Sequence, residues 1–270
     1  MLEVRSWGAG DGVSVANVAC RHGRGRGRES EESPGNAVVF VRRGCFIRSA
    51  DGDEHLLDPM LALCTNAGQE QRYDHPHRDG DDCTAIFLSP EQVAGLWGGV
   101  PELPTTPLPV PPQLDLRHRL LLAAARRGAD EHELGEAAIK LAADLLAGHR
   151  PGQVSSGRPA TARERAALAD GVRERLAADP DWSLQDLARA LAISPHHLSR
   201  TFRAETGETI ARHRMRIRAR LALELLASGD RDLARIAADT GFADQSHLCR
   251  VLGGETQRTP SWLRAALAPR

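Results

Sequence analysis

The chain has 270 residues, 41% hydrophobic and 26% charged, with a net charge of −1. That composition is ordinary for a folded globular chain, and the length predicts two domains at roughly 100–200 residues each. It excludes two classes: no apolar run reaches 18 residues, so no transmembrane helix is expected, and the opening MLEVRSWGAGDG has no signal-peptide pattern. Five cysteines (Cys20, Cys45, Cys64, Cys83, Cys249) at wide spacings argue against a disulfide framework and for reduced thiols in a cytoplasm. The near-zero charge hides an asymmetry. Residues 1–157 carry 16 basic and 22 acidic side chains, residues 158–270 carry 19 and 14. An acidic half joined to a basic one suggests two tasks, one involving an anion such as nucleic acid.

In chain order, residues 1–100 read as β. Short apolar runs at Val13–Cys20, Ala37–Val41, Cys45–Arg48, His55–Leu57, Leu61–Thr65 and Thr84–Leu88 are separated by turn residues, of which Asp51-Gly52 is the strongest hairpin signal. This pattern predicts an antiparallel sandwich or barrel. Residues 101–113 hold six prolines and predict a stiff extended connector. Two helices follow, Leu114–Arg127 and Asp130–Leu146. Together they predict a helical hairpin over 114–148 whose apolar face meets the β region or a second copy of the chain. Residues 149–160 read as a flexible linker, and everything from Thr161 as helical, with starts at Thr161-Ala-Arg-Glu164 and Ser183-Leu-Gln-Asp186.

An internal repeat of about fifty residues carries the functional reading. LARALAISPHHLSRTF (187–202) aligns with IAADTGFADQSHLCRVL (236–252): Leu187 on Ile236, Ala188 on Ala237 and Ile193 on Phe242. After one extra residue, Leu198, Arg200 and Phe202 fall on Leu248, Arg250 and Leu252. Each unit reads as a short helix, a tight turn and a second helix capped at Ser194 or Asp244. That is the helix-turn-helix arrangement, whose second helix suits a DNA major groove. His196, Ser199, Arg200 and Arg203 are expected outward in the first unit, and Gln245, Ser246, His247, Cys249 and Arg250 in the second. Arg212, Arg214, Arg216, Arg218 and Arg220, on the helix between the units, are expected to contact phosphate.

Residues 165–267 resemble the DNA-binding domain of the AraC/XylS transcription regulators, on ISPHHLSRTFRAETGETI and GFADQSHLCRVLGGETQRTPSWLR. The resemblance implies two recognition helices in successive major grooves. It places base-edge contacts on His196, Ser199, Arg200, Gln245, Ser246, His247, Cys249 and Arg250. Three positions depart from the pattern. Leu252 replaces a phenylalanine, Ala192 a turn glycine, and Gln257 the glycine that ends the recognition helix, which disfavours a left-handed cap there. Strain is expected, not loss of fold.

The resemblance also implies a cupin-like β-barrel sensor at 1–100 ahead of a DNA-binding domain at 161–270, giving an α+β two-domain chain. In the stretch 72–84, His75 and His77 with Asp81 or Asp82 faintly echo a cupin metal site for zinc, iron or manganese. The same residues also read as a turn and a solvated loop. The cysteines are expected to be inert core residues, with Cys20 the best candidate for an exposed thiol. Arg21–Arg28 reads as a basic arm or a loop. The expected function is a cytoplasmic, non-enzymatic, sequence-specific transcription regulator. Its expected partners are double-stranded DNA, a small effector, the transcription machinery and a second copy as homodimer. The rival readings are a metal-dependent cupin-type enzyme with an accessory DNA-binding domain, and a DNA-repair protein with a sacrificial cysteine, whose clustered cysteine motif is absent.

Overall fold

The computed structural model describes residues 2–21, 25–26, 30–77, 80–147 and 160–269; the expectations of a linker at 149–160 and a basic arm at 21–28 lie largely outside the described residues. The elements are β1 (Leu2–Gly8), β2 (Val13–Cys20), β3 (Gly25–Arg26), β4 (Glu31–Glu32), β5 (Asn36–Arg43), β6 (Phe46–Ala50), β7 (Asp53–Leu57), β8 (Leu61–Thr65), β9 (Glu70–His75) and β10 (Asp81–Leu88). Then come α1 (Pro90–Leu96), β11 (Leu108–Pro109), α2 (Pro112–Arg126), α3 (Glu131–Leu146), α4 (Ala160–Ala178), α5 (Leu184–Ala190), α6 (Pro195–Thr206), α7 (Ile210–Ala227), α8 (Leu233–Asp239), α9 (Gln245–Thr256) and α10 (Pro260–Leu267).

The strands form two antiparallel sheets. One has the order β1-β2-β10-β5-β8-β11, the other β3-β9-β6-β7 with β4 also on β9. Side chains alternate faces along a strand, which sets up three layers. Val13, Val15, Val38, Phe40, Ile86 and Leu88 pack with Leu122, Leu134, Leu141 and Leu145 of α2 and α3. Val41, Leu63 and Cys83 on the opposite face meet Phe46 and Leu57 of the second sheet. The sheets therefore lie face to face. Closure into a barrel is not seen among the described residues, and the coarser reading of a sheet-rich N-terminal half followed by helices is what the fold shows. The helical hairpin turns its apolar face to the larger sheet. Asp51 and Gly52 both take positive φ, 53° and 84°, and pair Ala50 with Asp53, the tight turn expected from Asp-Gly. β1 and β9 have no counterpart among the apolar runs. β1 is a mostly exposed edge strand, and β9 carries polar side chains on both faces.

The helical half repeats its bonds as well as its sequence. Ile193 N–H donates to Ala188 O at 3.0 Å and Phe242 N–H to Ala237 O at 2.8 Å, closing equivalent turns. Thr206 and Thr256 hydroxyls donate to Phe202 and Leu252 carbonyls, both at 2.7 Å. Ser194 and Asp244 cap α6 and α9 by accepting from His197 and His247 backbone N–H. The box at Thr161 is not used as a cap, because α4 already begins at Ala160. Leu252 is fully buried and fills its place in the second core. Gln257 does form the left-handed cap that its side chain disfavours, with φ 55° and its N–H on Gly253 O. Ala192 also sits at φ 55°.

A Cβ in the left-handed region costs roughly 1–2 kcal/mol, against about 0.5–1 kcal/mol for the extra chain entropy of glycine. Ala192→Gly and Gln257→Gly are each expected to stabilise the helical half by up to about 1 kcal/mol, read as a raised thermal midpoint. An unchanged or lowered midpoint would show that neither residue is strained.

Candidate nucleic-acid interface and sensor cavity

In α6, Leu198 and Phe202 are buried, which leaves His196, Arg200 and Arg203 exposed and Ser199 half-buried. In α9, Leu248 and Leu252 are buried, Gln245, Ser246 and Arg250 exposed, and His247 and Cys249 half-buried. The His247 ring stands edge-on to Phe242 at 5.3 Å, so part of it is spent on packing the turn. Among the described residues Arg200, Arg203 and Arg250 make no ion pair, which leaves three cations unspent. A groove of about 470 Å³ beside α6 is lined by His196, Ser199, Arg200, Arg203 and Arg214.

The arginine run on α7 is a correction to the sequence reading. Four of its five members hold the protein together. Arg214 donates to Trp182 O at 2.6 Å, and Arg218 to Gly241 O and Asp181. Arg216 donates to Glu208 at 3.2 Å and to Val110 O at 3.4 Å. Arg220, 3% exposed, donates to Val110 O at 2.8 Å. The cause is helical spacing. Residues 216 and 220 share one row and face the sheet half, while 214 and 218 share another and face the turns around Trp182 and Gly241. Gly241, at φ +74°, takes a backbone conformation that favours glycine, and a Cβ there would displace the Arg218 guanidinium, 2.8 Å away. Arg212 alone is largely exposed.

Two buried carboxylates of the N-terminal half receive these and neighbouring cations. Asp58, 0% exposed, accepts from Arg173 Nε of α4 at 2.8 Å and from Met60 N–H at 2.8 Å. His213 of α7 lies 3.6 Å from the same carboxylate, an ion-pair distance and not a hydrogen bond, and 2.8 Å from Glu208. Burial works against the charge on Asp58, but the Arg173 guanidinium and His213 outweigh it and hold its carboxyl well below the usual range. Burial likewise opposes charge on His213, and Asp58 and Glu208 outweigh it, so its pKa is raised.

Asp115 sits between Arg119 Nε at 3.2 Å, His118 Nε2 at 3.2 Å and Arg220 Nε at 3.6 Å. Arg119 and Arg42 also reach Glu224 of α7, at 2.5 and 3.4 Å. Burial pushes His118 down to about 4. The neutral ring must donate Nε2–H to the carboxylate, which can only accept.

Between the sheets lies a cavity of about 460 Å³ with a mostly apolar wall, including Val39, Phe46, Leu63, Tyr73 and Phe87. His75 and Asp81 also line it, with Nε2 and Oδ2 2.9 Å apart. The Asp81 carboxylate, then Cys20, hold His75 up at about 10. His77 is elsewhere, its Nε2 3.5 Å from Glu174 of α4, and Asp82 pairs with Arg21 and Arg43 at 2.6 and 2.9 Å. Cys20 is buried and lines the cavity, so the exposed thiol expected there is not found. Burial pushes Cys45 and Cys83 up and Cys64 to about 12, as inert thiols require. The placing of Cys20 beside His75 is hidden in the sequence, because β9 is polar on both faces and Asp-His-Pro-His has the pattern of a turn.

Residues 187–266 match the family model described as helix-turn-helix domain. Over these residues the structure has two helix-turn-helix units, α5–α6 and α8–α9, joined by α7. A protein described as an uncharacterized HTH-type transcriptional regulator of Haemophilus influenzae is 26% identical over 88 residues, covering 33% of this chain and 30% of the relative. Regulatory protein PocR of Salmonella typhimurium is 33% identical over 84 residues, covering 31% and 28%. The matches thus span less than a third of these curated relatives. The solved structure of ToxT from Vibrio cholerae is 12% identical, with a TM-score of 0.33 over 99% of this chain and 97% of that one.

The buried ion pairs give docking of the two halves a pH dependence. His213, with its raised pKa, contributes fully below its unfolded value near 6.5, and the contribution is lost as pH rises through the folded value. Asp58, with its lowered pKa, contributes fully above about 3.9, and the contribution is lost as pH falls through the folded value. The folded chain is therefore expected to lose stability as pH rises above about 6.5, measured by urea midpoints, and His213→Gln to flatten that slope. An identical slope in the variant would remove His213 from the contact.

Proposed function

We propose that this chain is a sequence-specific, DNA-binding transcription regulator of the AraC/XylS family, with α6 and α9 as its reading helices. One observation carries the reading. Two equivalent helices bury Leu198 and Phe202, or Leu248 and Leu252, and expose unspent arginines and hydrogen-bonding side chains on the other side. His196, Ser199, Arg200 and Arg203 would serve the first groove, and Gln245, Ser246, His247, Cys249 and Arg250 the second. Arginine suits guanine and glutamine suits adenine through paired hydrogen bonds. Residues 161–270 would be the DNA-binding unit and 1–100 a cupin-like sensor, joined by the connector 101–113, the hairpin 114–148 and the linker 149–160. The chain would act in the cytoplasm on double-stranded DNA and the transcription machinery, as a regulator and not an enzyme, with a second copy as its candidate partner.

A small effector is expected in the cavity between the sheets, whose apolar wall and few polar groups suit one. β6 offers the route from cavity to helices. Phe46 lines the cavity, while Cys45 and Ile47 on either side of it pack with Ala177 of α4. An occupant that moves β6 would change how α4 is seated, which biases one arrangement of the two halves over another.

Arg250→Ala is expected to lose about 1–3 kcal/mol of discrimination at one or two base positions, measured by binding to an operator mutation series. Arg216→Gln is expected to leave the salt slope of DNA binding unchanged, because its guanidinium is held by Glu208 and Val110. A uniform loss for Arg250→Ala across all sequences, with only the salt slope altered, would contradict the assignment.

A further inference from the structure

We propose that Cys20, His75 and Asp81 form a binding site for one divalent transition metal, zinc by preference, in the wall of the cavity between the two sheets. The Cys20 Sγ, a His75 ring nitrogen and an Asp81 carboxylate oxygen all lie within 4.8 Å of one another. The three come from separate strands. Cys20 ends β2 and Asp81 begins β10, and these two are register partners in the larger sheet. His75 ends β9 in the smaller sheet. A shared ion would therefore join the two sheets where they face each other.

The positions of the donors are fixed by their neighbours. Gly80, at φ +66°, lies so close to β2 that a Cβ would stand 1.8 Å from Cys20 O. Only glycine lets the chain pass there and bring Asp81 beside Cys20. The Arg21 guanidinium donates to the backbone carbonyls of both residues, Cys20 at 3.2 Å and Asp81 at 3.0 Å. The Cys83 thiol donates to Asp81 Oδ1 at 3.3 Å, which leaves Oδ2 turned to His75. Such outer contacts orient metal ligands.

The donor set names the ion. A thiolate and a carboxylate balance two positive charges, and a neutral imidazole completes a mixed soft and hard set that suits zinc. The ion would replace the protons carried by the Cys20 thiol and held between His75 and Asp81. Three protein ligands leave a tetrahedral ion one further position, for water or an occupant of the cavity. His77 takes no part, since it is paired with Glu174.

The test is titration of the full-length, metal-stripped chain with zinc and with cobalt. One equivalent is expected to bind, with visible cobalt bands of a tetrahedral site and a near-ultraviolet thiolate-to-cobalt band. Cys20→Ser is expected to abolish that band. His75→Ala and Asp81→Asn should weaken zinc binding by about tenfold or more, and His77→Ala should leave it unchanged. No uptake by the natural chain overturns the proposal, as does uptake unaffected by Cys20→Ser and His75→Ala. Loss of binding in His77→Ala alone does the same. Should a variant fail to fold, the cobalt spectrum of the natural chain decides: a thiolate band supports the site, and its absence refutes it. The readout is metal binding and not transcription, so it stands or falls apart from the regulatory reading.

Discussion

The arrangement of this molecule depends on two buried carboxylates of the N-terminal half, Asp58 and Asp115 of α2, each of which meets at least one cation of the helical half. Asp58 is fully enclosed with Arg173 and His213, and Asp115 with Arg119 and Arg220. Such pairs pay heavily in lost hydration and are not by themselves a large source of stability. What they impose is geometry, because either partner left alone would be a buried, uncompensated charge. α7 thereby becomes the shared element. It connects the two helix-turn-helix units, and its Arg216, Arg220 and Glu224 reach the sheet half. In the proposed function, reading of DNA is then left to α6 and α9, whose exposed arginines have no competing partner among the described residues.

Much of this was legible in the sequence, for physical reasons that differ by region. The repeat gave itself away because both units need the same anchors. Leu187 and Ile236, Ala188 and Ala237, Leu198 and Leu248 are all buried in equivalent places. Strands β2 and β8 show as apolar runs because they are covered on both faces, by helices on one side and by the second sheet on the other. β9 was hidden because Arg72, Tyr73, Asp74 and His75 are polar on both faces, and Asp-His-Pro-His reads as a turn. The paired histidines pointed to the right neighbourhood, but two-residue spacing could not say that His75 would turn to Asp81 and His77 to Glu174. The internal partners of Arg214, Arg216, Arg218 and Arg220 are hidden for a similar reason. A row of cations looks the same in sequence whether its partners are phosphates or distant carbonyls such as Val110 O.

The same strands that enclose the cavity also seat α4, which explains how one half could influence the other. Phe46 belongs to the cavity wall, while Cys45, Ile47 and Leu56 meet Ala177. Two residues along β9 and its following turn, His75 and His77, divide in the same way between the cavity and Glu174. Contact alone does not make a switch; a bistable element biased by both sites is needed. The ion pairs at Asp58 supply the candidate, since Arg173 belongs to α4 and must move with it.

In the proposed function α6 and α9, and not α7, are the surfaces that meet DNA. Methylation-protection footprinting of the full-length chain on its operator tests this most directly. Two separate clusters of protected guanines are predicted, about one helical turn (roughly 10 bp) apart on one face of the duplex. One of them should disappear with Arg200→Ala and the other with Arg250→Ala. A single cluster, or protection indifferent to both substitutions, would contradict the account.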